Sequence, residues 1–86
     1  MTQEQHQLFA ALVEMMATGN ALAEDGTPRA SWQNGFNVFL ENIVLESGGS
    51  MDDEWFVDHM KHQLAELLTK KMYERHAVLV AQAQAA

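Results

Sequence analysis

Residues 50–86 read SMDDEWFVDHMKHQLAELLTKKMYERHAVLVAQAQAA, and this last third of the chain decides the fold. It contains neither proline nor glycine, and it is rich in Ala, Leu, Met, Gln, Glu and Lys, all of which favour helix. A single helix of this length extends roughly 50 Å, whereas a compact chain of this size has a radius of gyration of about 12 Å. We therefore expect a C-terminal helix that projects from the fold, breaks, or lies against another molecule.

Two shorter helices are predicted before it. The first begins after Thr2, which forms a possible capping box with Gln5. The second follows a turn, with Thr27 as its N-cap and Pro28 at its first helical position. Ser50 is the predicted N-cap of the third helix. The predicted helices cover about residues 3–18, 28–46 and 51–82 of one domain, 1–86.

Apolar side chains recur at helical spacing in all three segments. In the second segment the spacing of Trp32, Phe36 and Phe39 follows a period of 3.6 rather than 2, which favours helix over strand. The third segment carries a main apolar stripe of Phe56, Met60, Leu64, Leu67, Leu68, Met72 and Leu79. We expect an all-α, three-helix domain with a long C-terminal helix, completed as a homodimeric helical bundle because three helices of this size leave apolar surface uncovered.

The chain is acidic, and its charge is unevenly distributed. The formal net charge is −7, and residues 1–54 contain nine acids against a single base, Arg29. Direct binding to nucleic acid is disfavoured, because affinity for phosphates needs a basic patch. An acidic surface favours partners with a basic surface or keeps the chain in solution. The absence of cysteine, of a signal-like N-terminus and of a long apolar run leads us to expect a cytoplasmic protein without membrane attachment.

The third helix carries a second stripe, opposite the Leu/Met stripe at about 100° of rotation per residue. This second stripe consists of Trp55, His59, His62, Glu66, Tyr73 and Val80. Two interpretations are open: it contacts a second subunit, or its aromatic residues extend the intramolecular core. We expect an isologous homodimer along this helix, antiparallel or crossed. The interface is formed either by the residues from Trp55 to Tyr73 of the stripe or by the distal residues Met72, Leu79 and Val80.

Three residues of the second stripe also form a weak metal-site pattern. His59, His62 and Glu66 follow one another at spacings of three and four residues, which is compatible with a metal ion on one helix face. The alternative is that these are exposed side chains that flank an interface, or histidines that make it sensitive to pH. We expect no metal and no cofactor.

No catalytic motif is present. The carboxylates Asp52, Asp53 and Glu54 fit the start of a helix, and Gly48–Gly49 lacks the spaced glycines and the lysine of a phosphate loop. We therefore do not expect an enzyme. The composition resembles, at the level of a class and not of a family, that of small helical antiactivators and inhibitors.

These observations favour a small acidic regulatory protein that acts by protein–protein binding. The expected example is an antiactivator or inhibitor that sequesters a transcription regulator with a basic surface. The alternatives are a phage-type inhibitor or DNA mimic of a nucleic-acid enzyme, and a structural or accessory subunit.

Overall fold

Three α-helices make up the fold in the computed structural model, which describes residues 1–85. They are α1 (Gln3–Ala17), α2 (Ala30–Glu46) and α3 (Glu54–Ala85). In residues 1–85 the only β-type pairing is an isolated bridge between Leu22 and Pro28. The predicted all-α, three-helix fold is confirmed, and α3 is one continuous helix of 32 residues. Ala86, the last residue of the predicted domain, lies outside the described residues.

The start of α1 follows the prediction. The Thr2 hydroxyl accepts a hydrogen bond from the Gln5 amide at 3.2 Å, and the Gln5 side-chain oxygen accepts one from the Thr2 amide at 2.9 Å. This capping box satisfies two backbone donors that have no partner inside the helix. Both groups belong to one short segment, so the sequence alone was sufficient to predict it.

The predicted start of α2 is wrong. Its N-cap is Arg29, not Thr27, and the Arg29 side chain makes no capping hydrogen bond. The Thr27 amide and hydroxyl instead donate to the Asp25 carboxylate at 3.0 and 2.7 Å, and Pro28 pairs with Leu22. The physical reason is that the turn uses Thr27 for its own hydrogen bonds, so the helix begins only after the bridge.

The predicted start of α3 is also wrong. The Ser50 hydroxyl accepts from the Asp52 amide at 3.1 Å and closes a turn, whereas the Asp53 carboxylate accepts from the Phe56 amide and caps the helix. Gly48 has φ of 83°, the left-handed conformation that favours glycine after a helix. A Cβ atom on Gly49 would lie 2.5 Å from the nearest Phe56 ring carbon, so this ring packs closely against the turn that precedes α3.

All three helices contribute to one hydrophobic core. Its buried members are Leu12, Val13, Phe36, Phe39, Leu40, Val44, Leu64 and Leu68. Phe9 packs on Phe39 with ring centroids 5.7 Å apart, and the Trp32 indole N–H donates to the Leu12 carbonyl at 3.3 Å. This core covers the inner face of α3, so it also determines which face of α3 is left outside.

The long third helix sets the shape of the molecule. Its 32 residues correspond to roughly 48 Å, and the longest dimension of the protein is 48 Å. The radius of gyration is 14.2 Å, against about 12 Å for a compact chain of this size. Arg75 is tied to Glu14 of α1 by an ion pair of 2.7 Å, and residues 80–85 beyond it are all exposed. The end of α3 therefore projects from the bundle, which is one of the three outcomes that the sequence left open.

Candidate protein-binding surfaces

The outer face of α3 carries large exposed aromatic side chains. Trp55 is 75 % exposed and Tyr73 is 66 % exposed, while Leu64 and Leu68 on the opposite face are buried. The aromatic residues therefore do not extend the intramolecular core, which was one of the two interpretations open from the sequence. We call this face the outer stripe; it consists of Trp55, His59, His62, Glu66, Tyr73 and Val80, all of them exposed.

Local contacts hold the first half of the outer stripe in place. The Trp55 and His59 rings stack with centroids 5.4 Å apart and an angle of 2° between their planes. His62 Nδ1 lies 2.8 Å from the Asp58 carbonyl oxygen and 3.5 Å from the Asp58 carboxylate. Both contacts lie within one helix and join residues four positions apart.

The weak metal pattern does not form a site. Within residues 1–85 no three histidine or acidic side chains are grouped so as to hold a metal ion. His59 stacks on Trp55, and His62 is directed to Asp58, so neither converges with Glu66 on a common point. Spacing at three and four residues places side chains on one face, but it does not aim them at one another.

The distal residues proposed from the sequence have a different environment. Met72 and Leu79 are half-buried, and only Val80 is exposed among the three. Met72 lines a small apolar pocket of about 290 Å³, which Trp32 and Pro28 also border. Met72 and Leu79 thus pack in part against the rest of the chain, whereas every residue of the outer stripe, including Val80, is exposed.

A second surface is a groove between the start of α1 and the end of α2. It is lined by Thr2, Glu4, Gln5, Leu8, Val38, Asn42, Leu45 and Glu46, and we call it the α1–α2 groove. Its volume is about 540 Å³. Val38 is 52 % exposed and Leu45 is 54 % exposed, and they lie on one face of α2 with Asn42 between them.

Both charged side chains that line this groove are acidic. Glu4 and Glu46 line it, and Glu41 is the neighbour of both Val38 and Leu45 on the surface of α2. Arg29, the single base of residues 1–54, lies directly before α2, at the end of that helix opposite Glu46. Its side chain donates a hydrogen bond to the Leu22 carbonyl at 3.0 Å. The groove therefore combines exposed apolar side chains with an acidic border.

Sequence reasoning missed this groove. The signal was present, because Val38 and Leu45 widen the apolar surface of α2 beyond the stripe of Trp32, Phe36 and Phe39. The acidic residues of the sequence indicated only a general attraction to a basic partner, without a place on the surface. The groove itself joins residues about 30 to 40 positions apart, which helical periodicity does not reveal.

The shifted titratable groups have structural explanations. The hydrogen bonds from the Thr27 hydroxyl and amide hold the pKa of Asp25 below its ordinary value. The hydrogen bond and the charge of Glu14 raise the pKa of Arg75. Asp25 stabilises the turn between α1 and α2, and Arg75 stabilises the contact between α1 and α3. Neither residue lines the α1–α2 groove or belongs to the outer stripe.

Comparison with known proteins gave no family model, no curated protein and no solved structure that matches this chain. Among the helices of residues 1–85, none combines the length and the apolar character that crossing a membrane requires.

Proposed function

We propose that this chain is a small regulatory protein that binds another protein and holds it inactive. The observation that carries the proposal is the α1–α2 groove, where half-exposed Val38 and Leu45 lie inside a border of glutamates. Exposed apolar side chains rimmed by polar ones are typical of interaction sites. The proposed ligand is an amphipathic helix of the partner with basic residues beside its apolar face.

A transcription regulator is the proposed class of partner. Such a protein needs basic residues where it contacts DNA, because phosphate neutralisation supplies much of its affinity. Residues 1–54 of the present chain have a net charge of −8, from nine acids and one base, and this charge would accelerate encounter with a basic surface. Occupying that surface would block DNA binding by steric exclusion, which is the mechanism of an antiactivator acting in the cytoplasm.

We also propose that the protein is a homodimer, which associates through the outer stripe of α3. The support is the exposure of Trp55 and Tyr73, since large aromatic side chains are enriched at the centres of interfaces. The α1–α2 groove is built from α1, α2 and the preceding Thr2, so both copies would keep it open in such a dimer.

The groove proposal is tested by affinity capture with matched variants. The tagged chain is used to capture proteins from lysate of its source organism, in parallel with Leu45→Ser and Leu22→Ser. Both leucines are 54 % exposed, but Leu22 lies in the α1–α2 connection, outside the groove. We expect a DNA-binding regulator as the main protein captured, with its recovery reduced by the Leu45 substitution alone.

The affinity of the captured protein gives the quantitative test. Full burial of a leucine is worth about 1.5–3 kcal/mol, and about half of Leu45 is available to be buried, so its loss should weaken binding by about 4- to 12-fold. Glu46→Lys should weaken binding mainly through the association rate, and Glu24→Lys, with the same change of charge in the distant turn, should do so less. Equal effects of the groove and control substitutions would refute this site. Capture of a nucleic-acid enzyme instead would favour the DNA-mimic alternative.

A further inference from the structure

The outer stripe of α3 has an internal symmetry. Trp55 and Tyr73 lie nine residues before and after Leu64, and His62 and Glu66 lie two residues before and after it. At about 100° per residue all four side chains lie within about 20° of one line along the helix. If the direction of the helix is reversed about Leu64, Trp55 and Tyr73 exchange places, and so do His62 and Glu66.

We propose that two copies of the chain pair through antiparallel α3 helices, with the two-fold axis at the height of Leu64. In this register Trp55 of each copy faces Tyr73 of the other, and His62 of each copy faces Glu66 of the other. Both pairs occur twice, as an isologous interface requires. The inference rests on the proposed homodimer, but it is independent of the proposed use of the α1–α2 groove.

The charges favour a second copy in this orientation over a parallel one. A parallel pair in register would place Glu66 against Glu66, so that two carboxylates meet near the centre of the contact. The antiparallel register instead places a histidine, which has an N–H donor in either protonation state, beside a carboxylate acceptor at two equivalent points. The order of these four residues along the stripe therefore complements its own reversed copy.

The packing of the rest of the molecule is compatible with this pairing. The core covers the face of α3 that contains Leu64 and Leu68, opposite the outer stripe. The α1 and α2 helices of each copy therefore lie on the far side of the paired α3 helices and do not obstruct their approach. In this register the projecting end of α3, which includes exposed Val80, extends past the first residue of the other α3.

The association itself is measured by analytical ultracentrifugation of the full-length chain over a range of concentrations. We expect a species of twice the 9.6 kDa monomer mass. Trp55→Ala should raise the dissociation constant of this dimer roughly tenfold or more, because the residue occurs twice in the interface and is an aromatic anchor. Leu45→Ala, which removes an exposed apolar side chain of the α1–α2 groove, should leave it unchanged. Trp55 is 75 % exposed in the single chain, so thermal unfolding of the variant at concentrations where both proteins are monomeric should match that of the original.

The register is tested by disulfide cross-linking, which is free of background because the chain contains no cysteine. His62→Cys and Glu66→Cys are prepared as separate proteins, oxidised alone, and oxidised as a mixture. In the proposed register, position 62 of one copy and position 66 of the other approach within the ~4 Å between Cβ atoms that a disulfide needs. The two copies of position 62 lie farther apart than this, and so do the two copies of position 66.

We expect a cross-linked dimer only in the mixture. Cross-linking of either variant with itself in preference to the mixture would overturn the register, and a monomer at all concentrations would overturn both the register and the homodimer. Neither result would bear on partner capture by the groove, which is measured separately with Leu45→Ser.

Discussion

The orientation of α3 can be tested with two adjacent leucines. Leu68 is 1 % exposed and belongs to the core, whereas Leu67, one residue earlier on the same helix, is 39 % exposed. Substituting either by alanine changes the local helix preference by the same small amount, so the two variants differ mainly in burial. The comparison therefore shows directly which side of α3 faces the core.

The expected magnitudes follow from this burial. Removing about three carbon atoms of Leu68 forfeits roughly 2 kcal/mol of transfer free energy, at about 0.8 kcal/mol per CH₂, and the cavity left behind raises the loss to about 3–5 kcal/mol. Leu67 is partly solvated and its surroundings can relax, so we expect a loss of about 1 kcal/mol. A domain of this size has a free energy of unfolding of about 4–13 kcal/mol, so Leu68→Ala removes a large part of the total.

The assay is urea unfolding followed by far-UV circular dichroism, supported by thermal unfolding. A difference of about 2–4 kcal/mol between the variants corresponds to a difference in Tm of roughly 8–32 °C. Protein concentration is held constant, because association of folded chains would make the apparent stability depend on it. Equal destabilisation by the two substitutions would refute the burial of Leu68 in the core and the partial exposure of Leu67 at its edge.

Three further predictions concern local structure. Gly49→Ala should reduce stability by about 1–3 kcal/mol in urea unfolding, because the added Cβ would lie 2.5 Å from a Phe56 ring carbon; an unchanged midpoint would contradict this packing. Thr2→Ala should reduce it by about 0.5–2 kcal/mol in the same assay, since the capping box is lost. The carboxyl group of Asp25 should titrate below its ordinary pKa of 3.8 in NMR, and Thr27→Val should raise that pKa. Because this pKa is lowered in the folded chain, the turn is stabilised above pH ~4 and loses that stabilisation as the pH falls through the shifted value.

Much of the secondary structure could be predicted from local sequence. The period of 3.6 in Trp32, Phe36 and Phe39 identified α2, and the long segment without glycine or proline identified α3. The capping box of Thr2 and Gln5 was correct because both partners lie within one turn. Where local rules failed, another contact competed: Thr27 binds Asp25, so it does not cap α2.

The outer stripe was also visible in the sequence, because all its members lie on one helix at defined angles. The exposure of this stripe was not visible in the sequence, which left open whether Trp55 and Tyr73 join the core. The α1–α2 groove was missed altogether, because its two sides come from different helices.

By itself, the sequence determined that there are three helices, that the third is long, and that acidic residues dominate the first two thirds of the chain. The tertiary structure alone decided which apolar residues are covered. Phe39 and Val44 are 0 % exposed, while their direct neighbours Val38 and Leu45 are 52 % and 54 % exposed. All four are apolar residues of α2, and what separates them is the direction from which α1 and α3 approach. Burial depends on those distant segments, so the surfaces left for a partner were fixed only when the helices packed together.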